Sequence, residues 1–272
     1  MRSEGPVDSG VPGALRLNAD DAVRALARRL NVDLAIVTPT GADDTITATD
    51  VERVHRVLRE VGPLERLTGA RRTMARTMDR AREEVMHAMV ADDAVLAIDL
   101  EDDELTLRLI RAMVAAVKRE PALNAWFDSL EIGRRRLDKI HLGLAIETAD
   151  GPYVCVMQDV GARSPDSLRA GLARMREDTR NHRIPPEELR GYTLVLADYG
   201  AAGGRYATPA IVPPTVAVVA AGSIREGVVA VGGKPVVCPV LPVTVGYDQR
   251  AVSGAEAARF LAALIADLQA PG

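Results

Sequence analysis

The side chains best suited to move a proton near neutral pH are four histidines, His55, His87, His141 and His182. Each stands in a different setting. His55 falls within a short helical pattern and His87 near the end of a second one. His141 opens a strand pattern, and His182 lies in a polar loop. Cys155 and Cys238 sit far apart, inside the apolar runs 154–156 and 236–240. That setting predicts buried thiols and argues against a disulfide framework or a cysteine-based zinc site. No metal centre is expected. A polar loop, Asp248-Gln249-Arg250-Ala251-Val252-Ser253-Gly254, directly precedes a strongly amphipathic stretch. Taken alone it is a turn into the last helix. Gln249 can donate and accept hydrogen bonds there, but a neutral amide has no useful basicity.

These residues must be positioned by elements whose periods are visible in the sequence. Residues 1–16 are rich in Gly, Pro and Ser and predict a loose terminus. Val23, Leu26, Ala27 and Leu30 then share one helical face, with Asn18 or Asp20 as N-cap. After a loop over 31–45, Thr47 or Thr49 caps a second helix carrying Val51, Val54, Val57 and Leu58. Residues 17–60 thus read as a small helical unit near the lower size limit for independent folding. Beyond the break at Gly62-Pro63, Leu67, Met74, Met78 and Val85 predict a helix to about Ala88. Residues 105–119 form a stronger one, with Leu105, Leu109, Ala112, Met113, Ala116 and Val117 inward, ending before Pro121. The period then changes to two. Strands are expected at 140–147 and 153–158, joined by a turn at Asp150-Gly151, and at 192–197, 216–221, 228–231 and 236–247. Helices are expected at 167–180 and 254–269, the latter with Ala258, Leu261, Leu264, Ile265 and Leu268 inward. Helices alternating with hairpin-like strand pairs argue for mixed α/β or α+β layers rather than a doubly wound parallel sheet.

The composition is that of a folded chain: 272 residues, 47% hydrophobic and 26% charged, which excludes disorder of the whole. A net charge of −4 gives no basic surplus for nucleic acid or an anionic membrane. Residues 1–10 lack the order of a signal peptide, and no apolar run is long enough to span a bilayer. A cytoplasmic protein is the expectation.

Several segments, taken in order, resemble the catalytic domain of the dihydrolipoamide acyltransferases of the 2-oxo acid dehydrogenase complexes. They are Leu67-Thr-Gly-Ala-Arg-Arg-Thr-Met-Ala, Pro121-Ala-Leu-Asn-Ala, Leu142-Gly-Leu-Ala-Ile-Glu-Thr-Ala-Asp-Gly, Ala210-Ile-Val-Pro-Pro-Thr-Val-Ala-Val-Val-Ala-Ala-Gly and the stretch 225–254. Upstream, Ala22-Val-Arg-Ala-Leu-Ala-Arg-Arg-Leu-Asn-Val-Asp-Leu, Thr40-Gly41 and Ile46-Thr-Ala-Thr-Asp-Val resemble that family's peripheral-subunit-binding domain. No lipoyl domain is seen ahead of it. The resemblance implies an α+β sandwich of the chloramphenicol-acetyltransferase type over 64–272, a homotrimer or higher oligomer, and active sites between subunits. It implies coenzyme A or an acyl-CoA as substrate, a free small-molecule acceptor or one supplied in trans, and a protein partner for residues 17–60. Some stand-alone relatives acylate small-molecule alcohols in secondary metabolism, and this architecture is similar to theirs.

The resemblance also locates an altered active site. The family motif Asp-His-Arg-x-x-Asp-Gly becomes the 248–254 loop, with Gln249 in place of the basic histidine and Ser253 in place of the aspartate that positions the loop. Ala197 falls where the family has the serine that hydrogen-bonds the oxyanion, and Asp198 replaces an asparagine beside it. His87 falls at a Pro-His position near the thioester channel, with Met86 for the proline, and is the candidate for a rerouted base. In the N-terminal unit, Ala42-Asp43-Asp44-Thr45 stands where the family has glycines and an arginine, which weakens a surface that depends on positive charge. Two functions follow: an acyltransferase with weak or rerouted chemistry, or a non-catalytic paralogue serving as a trimeric scaffold or docking core.

Overall fold

In the computed structural model, residues 18–62, 65–97, 102–148, 151, 153–181 and 183–270 are described. His182, Asp150, Pro63 and the 1–16 terminus lie outside them. The chain divides into two compact units, 1–66 and 67–272.

The first unit pairs α1 (Asp21–Leu30) with α2 (Ala48–Val61) around Val23, Ala27, Val32, Val37, Ile46 and Val51. Asp20 caps α1 by accepting from the Val23 N–H, and Thr47 caps α2 in a reciprocal capping box with Asp50. Asn18 is therefore not a cap; its amide donates to Thr45 Oγ1 at 2.7 Å. The loop between the helices contains two 3₁₀ turns, Leu34–Ile36 and Ala42–Asp44. Asp43 and Asp44 both adopt φ of 53°, a left-handed conformation for which glycine is the default. Asp50 is fully buried beneath the loop, accepting from Thr40, Thr47 and Arg53.

The second unit is a two-layer α/β sandwich. Its elements are α3 (Gly69–Glu84), β1 (His87–Val95), α4 (Asp102–Arg119), β2 (Ala125–Asp128), β3 (Gly133–Arg136), β4 (Leu142–Ile146), β5 (Tyr153–Met157), α5 (Pro165–Arg180), β6 (Leu194–Asp198), β7 (Ala217–Ala221), β8 (Arg225–Val231), β9 (Lys234–Asp248) and α6 (Gly254–Gln269). The main sheet runs β1-β9-β7-β6-β4-β5, with β8 paired to β9. The β4–β6 and β6–β7 pairs are parallel and the others antiparallel, so the sheet is mixed as the hairpin pattern predicts. Helices α4, α5 and α6 pack on one face over Leu109, Ile110, Met113, Leu172, Phe260 and Leu264.

Three expectations are corrected, and one hairpin is added. The helix predicted to reach Ala88 stops at Glu84, and His87 begins β1. Val85 and Met86 prolong the apolar count, but β9 supplies a strand partner from His87 onward. The β2–β3 hairpin went unpredicted because four-residue strands are too short to show a period. Cys155 is buried, as predicted, but Cys238 is half-buried. It lies where β9 pairs with β8 alone, beyond the reach of the rest of the sheet. In α6 the inward set is Ala257, Phe260, Leu261, Leu264 and Leu268, and Ala258 is exposed.

Candidate active site

The 248–254 loop is rigidly held. The Asp248 N–H donates to Val216 O at 2.8 Å, closing the β9–β7 ladder. Its side chain is fully buried and accepts from the Arg250 N–H at 3.1 Å, from Nε at 3.0 Å and from Nη2 at 2.6 Å. The carboxylate raises the Arg250 guanidinium further above its ordinary value. That guanidinium also stacks 4.4 Å from the centroid of Phe127. The Ala251 and Val252 N–H groups both donate to Asp248 O at 2.9 Å. Arg134 donates to Ala251 O at 2.6 Å and pairs with Glu256. Phe127 and Arg134 come from the unpredicted hairpin, so the sequence had no signal for their part in the loop.

Ser253 caps α6. Its hydroxyl accepts from the Glu256 N–H, and Glu256 accepts in return from the Ser253 N–H at 2.7 Å. Burial raises the Glu256 carboxyl, but the Ser253 N–H and hydroxyl together with Arg134 outweigh it and hold the group below its ordinary value. Gln249 is fixed through its backbone, N–H to Met86 O at 2.8 Å, with its side chain exposed. Its amide has no partner among the described residues.

His87 lies directly across from Asp248 in the β1–β9 register, beside the Gln249 loop. Its Nε2 is 3.0 Å from Pro209 O. A carbonyl only accepts, so Nε2 carries the proton and, in the neutral ring, Nδ1 keeps its lone pair. The ring packs over Gly246, where an added Cβ would come within 3.1 Å of Nε2. The other described histidines are elsewhere. His141 Nδ1 accepts from the Asp159 N–H at 3.2 Å, a structural role, and His55 lies on α2 of the first unit.

Ala197 and Asp198 end β6, at the opposite end of the sheet. Ala197 pairs with Ala220 of β7, whereas Asp248 meets β7 at Val216. Five residues along the strands separate the Ala197 level from that of Gln249. At about 3.3 Å per residue this is roughly 16 Å, with two strand spacings of about 4.8 Å across. Ala197 is buried, between Ala145 and Ala220. The exposed Asp198 accepts from the Gly200 N–H at 2.8 Å. The structure thus brings Gln249 beside His87, with Ser253 four residues further along the same loop, and places Ala197 and Asp198 apart from them within one chain. Among the described residues no group of acidic, histidine or cysteine side chains could hold a metal, and no helix is long and apolar enough to cross a membrane.

A mixed sheet packed against α4, α5 and α6 is the fold shared with solved dihydrolipoamide acyltransferase cores. The profile described as 2-oxoacid dehydrogenases acyltransferase (catalytic domain) matches residues 63–272, and that of the e3 binding domain matches 22–52. The chain belongs to the 2-oxoacid dehydrogenase acyltransferase family. It is 30% identical, over 99% of its length, to the lipoamide acyltransferase component of the branched-chain alpha-keto acid dehydrogenase complex of Pseudomonas aeruginosa, and spans 69% of that protein. It spans 51% of the corresponding component from Pseudomonas putida, also at 30% identity over 75% of its own length. The cubic core of a pyruvate dehydrogenase multienzyme complex superposes with a TM-score of 0.70 at 24% identity, covering 77% of this chain and 93% of that one. The dihydrolipoamide acetyltransferase of Azotobacter vinelandii gives the same values. In that enzyme a serine, a histidine and an asparagine have a role in the catalytic mechanism, the histidine 52 residues after the serine and the asparagine 4 residues after the histidine. Ala197, Gln249 and Ser253 keep both intervals.

Proposed function

We propose that this protein is an acyl-thioester-binding acyltransferase core in which transfer to dihydrolipoamide is absent or very weak. An acyl-CoA is the donor, and the acceptor is a free small molecule or a group supplied in trans. The observation that carries this reading is Gln249, an amide without basicity held on a clamped loop at the position of the relative's histidine. A general base contributes about 10²–10⁴-fold and one oxyanion donor about 10²–10³-fold. Ala197 has no hydroxyl for the second role. Ser253 is the mildest change, because an uncharged residue also stands at its position in the Azotobacter enzyme and the Ser253 hydroxyl has its own task as a cap.

Because Gln249 and Ala197 stand at opposite ends of one sheet, a site using both needs two copies of the chain. A closed trimer supplies that geometry, with the His87–Gln249 end of one copy against the Ala197 end of the next. The β8–β9 hairpin supports such assembly. It extends past β1, its outer residues Val228 and Val237 are 71% and 61% exposed, and β8 has no second strand neighbour among the described residues. His87 is the base of any residual transfer, since its Nδ1 is unengaged by Pro209 and it borders the loop.

The second reading is a non-catalytic scaffold. It is favoured by the e3 binding domain match, which suits the first unit to docking another subunit of a dehydrogenase complex, and by the hairpin. Calorimetric titration with CoA and acetyl-CoA, followed by an assay of thioester consumption, separates the two. Binding with slow turnover that is lost in His87→Gln supports the first. Binding without turnover supports the scaffold. Gln249→His alone should give little gain, and Gln249→His with Ser253→Asp and Ala197→Ser should give more, because these groups act as a unit. A triple variant that binds CoA without any gain in acetyl transfer would refute the acyltransferase reading.

A further inference from the structure

A second concave site lies on the helix layer, away from the sheet face that carries His87. It is a groove of about 340 Å³ between α4, the 3₁₀ turn Val160–Ala162 and the start of α5. That volume is near the lower end of the roughly 300–1,000 Å³ of small-molecule sites. Its floor is apolar, formed by Val114, Val160 and Leu168.

The rim is cationic. Arg111 and Lys118 stand two turns apart on α4, and Arg163 lines the same groove. The Arg163 guanidinium is held in place: Nε donates to Gln158 O at 2.9 Å, and Nη1 lies 3.0 Å from where a Cβ on Gly171 would sit. The single carboxylate on the rim, Asp267, is already engaged by Arg108 at 2.6 Å. Neither Arg111 nor Lys118 has an ion pair or hydrogen bond to another described residue. The positive end of α5, sixteen residues long and capped by Ser164, opens on the same side. Three cations lining one groove, whose one carboxylate is already paired with Arg108, are the more conspicuous in a chain of net charge −4.

We propose that this groove binds a small organic phosphate. The phosphate would sit among Arg111, Lys118 and Arg163, and an apolar body would lie on Val114, Val160 and Leu168. Arginine suits a phosphate because its planar fork donates two parallel hydrogen bonds. The proposal does not depend on acyl transfer, since none of these residues belongs to the Gln249 loop. The phosphate could come from a free metabolite or from the phosphate end of a CoA thioester.

The test is calorimetric titration of the full chain with phenyl phosphate and with inorganic phosphate. Phenyl phosphate should bind about tenfold more tightly, reflecting the buried ring. Arg111→Ser/Lys118→Ser should weaken phenyl phosphate about 100-fold, at about tenfold per lost charge-assisted contact. Ala115→Trp, which fills the groove and leaves every charge in place, should also abolish binding. Arg72→Ser, on α3, which contributes no residue to the groove, should leave it unchanged. The exposed positions of Arg111 and Lys118 keep the double variant folded, checked by its melting temperature. Competition between CoA and phenyl phosphate that disappears in the double variant assigns the phosphate to the thioester; lack of competition assigns it to a free metabolite. Absence of phenyl phosphate binding, or equal binding by wild type and either groove variant, overturns the proposal.

Discussion

Replacing Arg250 by alanine tests whether the Asp248–Arg250 clamp holds the Gln249 loop. Asp248 is fully buried, and its described partners are the Arg250 guanidinium and the Arg250 N–H. Arg250→Ala removes the guanidinium and strands a buried carboxylate on one backbone N–H. Breaking a fully buried pair from one side costs about 3–5 kcal/mol. Here the Arg250 side chain is 33% exposed, so water can enter the vacated space. With that discount, and with the lost stacking on Phe127 included, we expect about 2–3 kcal/mol. For a unit of this size, about 2–4 °C per kcal/mol translates to a melting temperature lower by about 4–12 °C. The assay is calorimetry at pH 7 and fixed protein concentration, since an oligomer makes melting concentration-dependent. Adding Asp248→Asn removes the stranded charge. The double variant should therefore recover at least about 1 kcal/mol relative to the sum of the single effects. Arg250→Lys, which keeps the charge but loses the fork, should fall between. An Arg250→Ala protein melting within about 1 °C of wild type, or two changes that simply add, would refute the clamp.

Other expectations follow from the same contacts. Ser253→Ala should cost about 0.5–2 kcal/mol by removing the α6 cap, and Ser253→Asp should cost almost nothing, as read by thermal melts. Glu256 is held below its ordinary 4.5, so its contribution is complete above that value and lost as pH falls below it. The melting-temperature gap between wild type and Glu256→Gln should therefore close as pH falls below the ordinary 4.5, and a gap constant with pH would count against the capping box. Asn124, fully buried, donates to Leu137 O and Lys139 O and accepts from Thr193. Asn124→Ala should lower stability by about 2–3 kcal/mol, measured by denaturant unfolding. Val228→Asp with Val237→Asp should shift sedimentation toward the monomer while circular dichroism stays unchanged; an unaltered assembly would remove the hairpin from the interface.

Local pattern was enough for the elements that bury one face. The 3.6-residue stripe of Leu105, Leu109, Ala112, Met113 and Ala116 placed α4, and all five are buried. The spacing of Leu261, Leu264 and Leu268 placed α6, and the apolar runs placed the β4–β5 hairpin. The 248–254 loop could be located only by its resemblance to the family motif, and its clamp is local: Asp248 and Arg250 are two residues apart. Period cannot report which strand lies beside which. β1 was hidden in the run from Val85 because its strand partners, 240–248, are more than 140 residues away. Cys238 sits in an apolar run yet stays half-buried, because burial depends on how far the neighbouring strands extend. Above all, Ala197 and Gln249 belong to one motif set in the sequence and to opposite ends of the sheet in the fold. β6 and β9 are antiparallel through β7, so the C-terminal ends of these two strands point in opposite directions. Residue identity determined which groups are available for chemistry; strand direction alone decided which of them a single chain can bring together.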